Sequence, residues 1–137
     1  MRAVLDPNVL ISGLLSRSGS PARVLRAWLD GAFELVVSLQ LIGEFERVLA
    51  YPKIHARVEP SEAGELVDLL RRSAQMADDP ENSPGIRSPD PGDAYLIALA
   101  ETAHAVIVSG DGHLLGLAGR LPVFSPAEFV VELEPRP

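Results

Sequence analysis

Residues 1–15, MRAVLDPNVLISGLL, open the chain with a short apolar run that ends in a carboxylate. Positions 3–5 show no polar alternation, which predicts a strand buried on both faces, as in a parallel sheet covered by helices. Asp6 follows this strand directly, and open α/β sheets build their sites just beyond the carboxyl ends of the strands. Pro7 predicts a helix start, since proline suits the first helical position. Asp6 is therefore a candidate site residue, and the alternative is a simple helix cap.

Length and composition favour one globular domain over residues 1–137. Hydrophobic residues make up 47% of the chain, which is enough for a substantial core. The absence of cysteine excludes disulfides and thiolate metal ligands. No apolar run reaches the roughly 20 residues of a membrane span, and no basic lead precedes a long apolar segment. We therefore expect a cytoplasmic protein that does not enter a membrane.

The charge is acidic overall but unevenly placed. The net charge is -7, which gives no general support for nucleic-acid binding. Residues 1–57, however, carry seven basic and five acidic side chains, whereas the rest carry five basic and fourteen acidic ones. Bases near a site could still hold a phosphate backbone, and the alternative is a solvated helix face. The candidate RNA-binding residues are Arg17, Arg23, Arg26 and Arg47.

Further apolar runs repeat the pattern of the first strand. Residues 33–37 and 105–108 predict two more buried strands, and shorter strands are expected at 74–78 and 122–124. Capped or amphipathic segments between them predict helices, so the fold class is α/β with a central parallel sheet. Residues 53–59 predict a short irregular connection.

Two more aspartates are expected at the same edge of the sheet. Asp111 closely follows the strand at 105–108, although an Asp-Gly pair is also common turn chemistry. Asp93 opens the preceding helix on its apolar face, and its alternative role is to complement the helix dipole. Asp90 is an N-cap candidate for that helix.

A glutamate completes the acidic set. Glu44 lies at the edge of the apolar face of the helix after the second strand, and the alternative is an ion pair with Arg47. Four carboxylates at one sheet edge would repel one another unless a cation were bound, and oxygen ligands suit Mg²⁺ or Mn²⁺. Such a site predicts phosphodiester hydrolysis by water that the cation activates.

The chain resembles the PIN-domain family over nearly its whole length. The resemblance rests on the opening LDPNVLISGL, on Glu44 after the second strand, on Asp93 before Ala94, and on VSGDGHLL after a later strand. The most similar members are the single-domain, VapC-like toxin ribonucleases of toxin–antitoxin pairs. The resemblance implies a three-layer α/β/α sandwich and Mg²⁺- or Mn²⁺-dependent cleavage of single-stranded RNA. It also implies a homodimer and a small antitoxin partner.

The resemblance also assigns roles to individual positions. The residues that match the family's catalytic and metal-binding acids are Asp6, Glu44, Asp93 and Asp111. Asn8 and Ser109 match its supporting polar positions, and Ser109 keeps the hydroxyl of the commoner threonine. His113 stands where many relatives have a further acid, and Asp90 is an additional carboxylate that could support the site.

Two other classes of protein fit parts of the pattern. A non-catalytic interaction module with this fold would not need all four acids. A receiver-like phosphoacceptor would need a lysine after a late strand, whereas Lys53, the one lysine, follows a helix. Dimerisation would use apolar surface beyond what one small core needs. The candidates for that surface are Leu10, Leu14, Trp28 and Leu29.

Overall fold

The computed structural model describes residues 1–81, 85–86 and 88–135. Within them, each strand is followed by one to three helices. The strands are β1 (Arg2–Leu5), β2 (Glu34–Val37), β3 (Gln75–Met76), β4 (Val106–Val108) and β5 (Val123–Phe124). The helices are α1 (Pro7–Leu15), α2 (Ser20–Leu29), α3 (Leu39–Leu49), α4 (Pro52–His55), α5 (Pro60–Ser73), α6 (Ala94–Ala103), α7 (Gly112–Leu115) and α8 (Pro126–Leu133).

The strands form one parallel sheet in the order β3-β2-β1-β4-β5. This confirms the predicted α/β/α fold with a parallel sheet, including the two short strands. β1 lies at the centre, and its residues 3–5 are at most 1% exposed. Their continuous apolar character follows from this position, because helices cover both faces of a central parallel strand.

The register of β1 and β4 brings two distant segments together. Leu5 is paired with Val108, and the backbone N–H of Asp6 donates to the Val108 carbonyl at 2.9 Å. The residues that follow these strands, Asp6 and Ser109, are therefore neighbours although 103 positions separate them. The predicted convergence of the two strand ends is confirmed.

Short polar signals set several helix starts. Ser38 caps α3 by accepting from the Leu41 N–H, and Ser125 forms a capping box with Glu128 at the start of α8. Phe129 of α8 is fully buried and meets Phe33 edge to face, with ring centroids 5.0 Å apart. The C-terminal helix is thus part of the same core.

Two local predictions were wrong, and a third was right in part. The predicted irregular connection at 53–59 begins inside a one-turn helix, α4, because Pro52 supplies a helical first residue. Leu10 and Trp28 are not spare apolar surface, since both are buried in the core. The helix predicted to start at 90–93 has Asp90 as its cap, but its first turn, Pro91–Asp93, is a 3₁₀ turn that α6 follows.

The other two candidates for a dimer surface, Leu14 and Leu29, differ in their exposure. Leu14 packs partly buried against the core, and Leu29 alone of the proposed dimer candidates is exposed, at 60%. The segment 79–89 is rich in Pro, Ser and Gly, which predicts a loop; its positions 82–84 and 87 lie outside the described residues.

Candidate metal centre

Asp6 uses both carboxylate oxygens within the protein. Its Oδ1 accepts from the Asn8 N–H at 3.0 Å, which is the predicted cap, and its Oδ2 accepts from the Ser109 hydroxyl at 2.8 Å. Burial raises the pKa of Asp6, the hydrogen bonds from Asn8 and Ser109 oppose this, and the charge of Asp111 adds to it. A cap alone does not explain the second hydrogen bond.

Ser109 connects the two strand-end aspartates. Its side chain is fully buried, and its oxygen accepts from the Asp111 N–H at 2.9 Å while its hydroxyl donates to Asp6. The hydroxyl of Ser109 therefore has a specific structural role. One oxygen fixes both the carboxylate of Asp6 and the backbone that carries Asp111.

Asp93 is the most perturbed acid of the site. It is 7% exposed, and its Oδ2 accepts from the Ser88 hydroxyl at 2.9 Å. The pKa of Asp93 is raised to about 6, mainly by burial and also by the charges of Asp111 and Asp90, against the opposing hydrogen bond from Ser88. Sequence analysis did not identify Ser88, because nothing in the loop pattern distinguishes it from its polar neighbours.

Asp90 confirms its predicted capping role and also approaches the site. Its Oδ1 accepts from the Gly92 N–H at 2.9 Å. Asp90, Asp93, Asp111 and His113 each offer one ligand atom, and these atoms lie within 4.8 Å of one another. The structure thus brings together two of the four predicted metal ligands, the predicted supporting acid, and the histidine noted as a departure from the family pattern.

This donor set suits a hard divalent cation. Three carboxylates converge, and no ion pair to Lys or Arg is seen for them among the described residues. Carboxylate oxygens favour Mg²⁺ or Mn²⁺, whereas the His113 imidazole is a softer donor. His113 Nδ1 lies 3.6 Å from Asp111 Oδ1, so the imidazole is close enough to take part.

Glu44 lies apart from this group. Its carboxylate accepts two hydrogen bonds from Arg47, from Nη2 at 2.7 Å and from Nε at 3.0 Å. This pairing lowers the pKa of Glu44. The alternative considered for Glu44, an ion pair with Arg47, is what the structure contains.

Tyr95 is a residue of this region that sequence analysis missed. It is half-buried and lines the same cleft as Glu44 and Arg47. Burial raises the pKa of Tyr95, and the charges of Asp6, Glu44 and Asp93 raise it as well. The sequence around Tyr95 gave no sign of this position, because the cleft is formed with residues of another helix.

Two clefts flank the carboxylates. The first, between α3 and α6, has a volume of about 470 Å³ and includes Gln40, Glu44, Arg47 and Tyr95 among its walls. The second has a volume of about 380 Å³. Its walls include Asn8, Ser12, Pro21, Asp111 and Pro126.

The candidate RNA-binding arginines do not form one patch. Arg47 lines the α3–α6 cleft, whereas Arg17 pairs with Glu62 of α5 at 2.8 Å. Arg26 donates to the Arg17 carbonyl at 3.2 Å, and Arg23 is exposed on α2. Arg47 is thus the candidate that lies beside the acidic region.

These features define an α/β protein with an acidic site at the carboxyl edge of a parallel sheet. The family model for the PIN domain matches residues 2–113, and the chain therefore belongs to the PIN-domain family. Members of this family are typically nucleases that depend on Mg²⁺ or Mn²⁺ and act on RNA. No curated protein matches the chain. Within the described residues, every helix is too short or too polar to cross a membrane.

Proposed function

We propose that the protein is an endoribonuclease that cleaves single-stranded RNA with Mg²⁺ or Mn²⁺ as cofactor. The observation that carries the proposal is the link from Asp6 through Ser109 to Asp111, with Asp93 and Asp111 close enough to share a ligand. This network is rigid because its central hydroxyl is fully buried. A fixed set of carboxylates is what a divalent nuclease site needs.

The residues of the site divide into proposed roles. Asp93 and Asp111 would hold the cation, and Asp90 and His113 are near enough to complete its donor set. Asp6 would add negative charge behind them, with Asn8 and Ser109 holding its oxygens. Glu44 is the fourth acid of the family pattern, and in the metal-free protein it pairs with Arg47.

A bound cation would change the pKa values of the groups in the site. A bound divalent cation would lower the pKa of water and stabilise the charge on the leaving oxygen. Without a cation, burial and the charges of Asp111 and Asp90 raise the pKa of Asp93 to about 6, and a bound cation would lower it again.

Water is proposed as the nucleophile in place of the 2′-hydroxyl of the RNA. Attack by the 2′-hydroxyl usually relies on a paired general base and acid such as two histidines. Among the described residues, His113 is the histidine near the carboxylates, whereas His104 ends α6 at the opposite edge of the sheet. Hydrolysis by water leaves a 5′-phosphate and a 3′-hydroxyl.

The proposal includes the biological setting that the family resemblance implies. The protein would be the single-domain, cytoplasmic toxin of a toxin–antitoxin pair, acting as a homodimer. The homodimer and the antitoxin partner rest on the family resemblance, because single exposed apolar side chains such as Leu29 are normal on protein surfaces.

A catalytically weak interaction module is the second candidate. The ion pair between Glu44 and Arg47 favours it, because one acid of the quartet is already neutralised. Both candidate functions fit the same fold, so a measurement of RNA cleavage is needed to distinguish them.

The decisive experiment is cleavage of an end-labelled single-stranded RNA in Mn²⁺, followed by analysis of the product ends. We expect 5′-phosphate ends, reversible loss of cleavage in EDTA, and a rate reduced at least 100-fold by Asp93→Asn or Asp111→Asn. Asp68→Asn, which changes an exposed aspartate on α5, is the matched control. Cyclic-phosphate ends, or full activity in EDTA, would show that the proposed mechanism is wrong.

A further inference from the structure

We propose that Ser88 is a positioning residue of the metal centre, which holds the carboxylate of Asp93 in the orientation that a divalent cation needs. In this proposal Ser88 acts through Asp93 and itself contacts neither the cation nor the RNA. The proposal rests on the nuclease function proposed above and deepens it. It extends the functional site into the segment that precedes α6.

The Ser88 hydroxyl takes part in two hydrogen bonds at once. It donates to Asp93 Oδ2 at 2.9 Å, and its oxygen accepts from the Asp90 N–H at 3.2 Å. The Asp90 carbonyl in turn accepts from the Asp93 N–H at 3.1 Å. One hydroxyl therefore links the backbone of one acid of the site to the carboxylate of another.

Ser109 makes the same pair of contacts in the other half of the site. It accepts from the N–H of the aspartate two positions further along the chain, Asp111, at 2.9 Å, and it donates to Asp6 at 2.8 Å. Ser88 likewise accepts from the aspartate two positions further on and donates to a second aspartate. The same hydrogen-bond pattern thus occurs on both segments that supply aspartates to the site after β4 and before α6. This repetition indicates that serine hydroxyls orient the acids of the site.

The local sequence restricts the conformation of Ser88. Pro89 disfavours a helical backbone for the residue before it, and a serine hydroxyl that binds the N–H two residues further on closes a local turn. On the other side of Ser88, Ile86 packs partly buried against the core, and the Gly85 N–H donates to Glu101 of α6 at 3.3 Å. Contacts before and after Ser88 therefore hold the segment that carries its hydroxyl.

The orientation of Asp93 matters because this carboxylate faces another acid. Asp93 is 7% exposed, and its ligand atom lies within 4.8 Å of that of Asp111. A hydrogen bond to one carboxylate oxygen restrains the plane of the carboxylate and hence the direction of its other oxygen. Carboxylates that bind metals generally have such hydrogen-bond partners, and removal of a partner typically lowers metal affinity or activity by about 10–100-fold. Ser88 is therefore expected to contribute to metal affinity through Asp93.

The first test is calorimetric titration of Mn²⁺ into the wild type and into Ser88→Ala. We expect Ser88→Ala to bind Mn²⁺ about tenfold more weakly, which is the lower end of the range for partners of this kind. Ser88→Thr keeps the hydroxyl, so it should restore the affinity to within about twofold of the wild type. Ser61→Ala is the matched control, because the Ser61 hydroxyl also donates to a carboxylate, that of Glu59 at 3.1 Å, on an exposed part of the surface. It should bind Mn²⁺ like the wild type.

The second test separates positioning from a general structural role. Ser88 is half-buried, whereas Ser109 is fully buried. We therefore expect Ser88→Ala to lower the Tm in EDTA by about 3 °C or less. At a fixed Mn²⁺ concentration below saturation, kcat for RNA cleavage should fall about tenfold, in line with the weaker metal binding. KM for the RNA should stay unchanged, because Ser88 acts on Asp93 and not on the substrate.

The outcomes distinguish this proposal from the nuclease proposal. Mn²⁺ affinity that depends on the Ser88 hydroxyl, in a protein that does not cleave RNA, would support the positioning role and overturn the nuclease function. Metal-dependent cleavage with Mn²⁺ affinity and kcat unchanged in Ser88→Ala would overturn the positioning role and keep the nuclease function. Tighter Mn²⁺ binding by Ser88→Ala would show that the hydroxyl competes with the cation for Asp93, which also overturns the positioning role.

Discussion

Removal of the Ser109 hydroxyl should destabilise the protein and disturb the site at the same time. The hydroxyl donates to Asp6 at 2.8 Å and accepts from the Asp111 N–H at 2.9 Å, in a fully buried position. A hydrogen bond to a charged group contributes about 1.5–3 kcal/mol, and a buried N–H left without an acceptor costs about 1–3 kcal/mol. We therefore expect Ser109→Ala to lower the free energy of unfolding by about 3–4 kcal/mol. For a chain of this length, that corresponds to a fall in Tm of about 10 °C.

Thermal and urea unfolding followed by circular dichroism, in EDTA at neutral pH, would measure this loss. Ser109→Thr and Ser109→Val form the matched pair, because they have the same shape and differ in one hydroxyl. Thr should retain most of the stability that Val loses. The Ser109 hydrogen bond lowers the pKa of Asp6, so its removal raises that pKa further. The stability difference between Ser109→Val and Ser109→Thr should therefore shrink as the pH falls and Asp6 is protonated. Equal Tm values for Thr and Val would refute the reasoning.

Three further perturbations test other parts of the structure. The pKa of Asp93 is raised from 3.8 to about 6, so the native state binds the extra proton. Without metal, stability should therefore rise as the pH falls from 7 to 4, and urea midpoints of Asp93→Asn should lack this rise. His104→Gly should raise stability by about 0.5–1 kcal/mol, because His104 has a φ of 53° that glycine adopts without strain; chemical unfolding measures it. Phe129→Ala should cost about 3–5 kcal/mol, since Phe129 is fully buried, and an unchanged urea midpoint would exclude α8 from the core.

The amino-acid sequence predicted the frame of the site well. Apolar runs that end in Asp6 and shortly before Asp111 define buried parallel strands, and parallel strands place their carboxyl ends at one edge. Asp6 and Asp90 were recognisable as helix caps because capping is a local interaction with a residue two positions further along the chain. These features depend on residues that are close in the sequence, so they can be predicted from the sequence alone.

The composition of the site depended on packing between distant segments. Asp90 and Asp93 come from the segment before α6, whereas Asp111 and His113 follow β4, so their shared ligand position depends on how the two segments pack. Glu44 lies at the edge of the apolar face of α3, and from this position its side chain can reach either the sheet or Arg47. In the structure it forms the ion pair with Arg47. Leu10 and Trp28 were counted as surface because an apolar residue on a helix does not show how many neighbours cover it. Burial, side-chain partners and the angle between elements are set by the whole fold, and for this reason no local pattern predicted them.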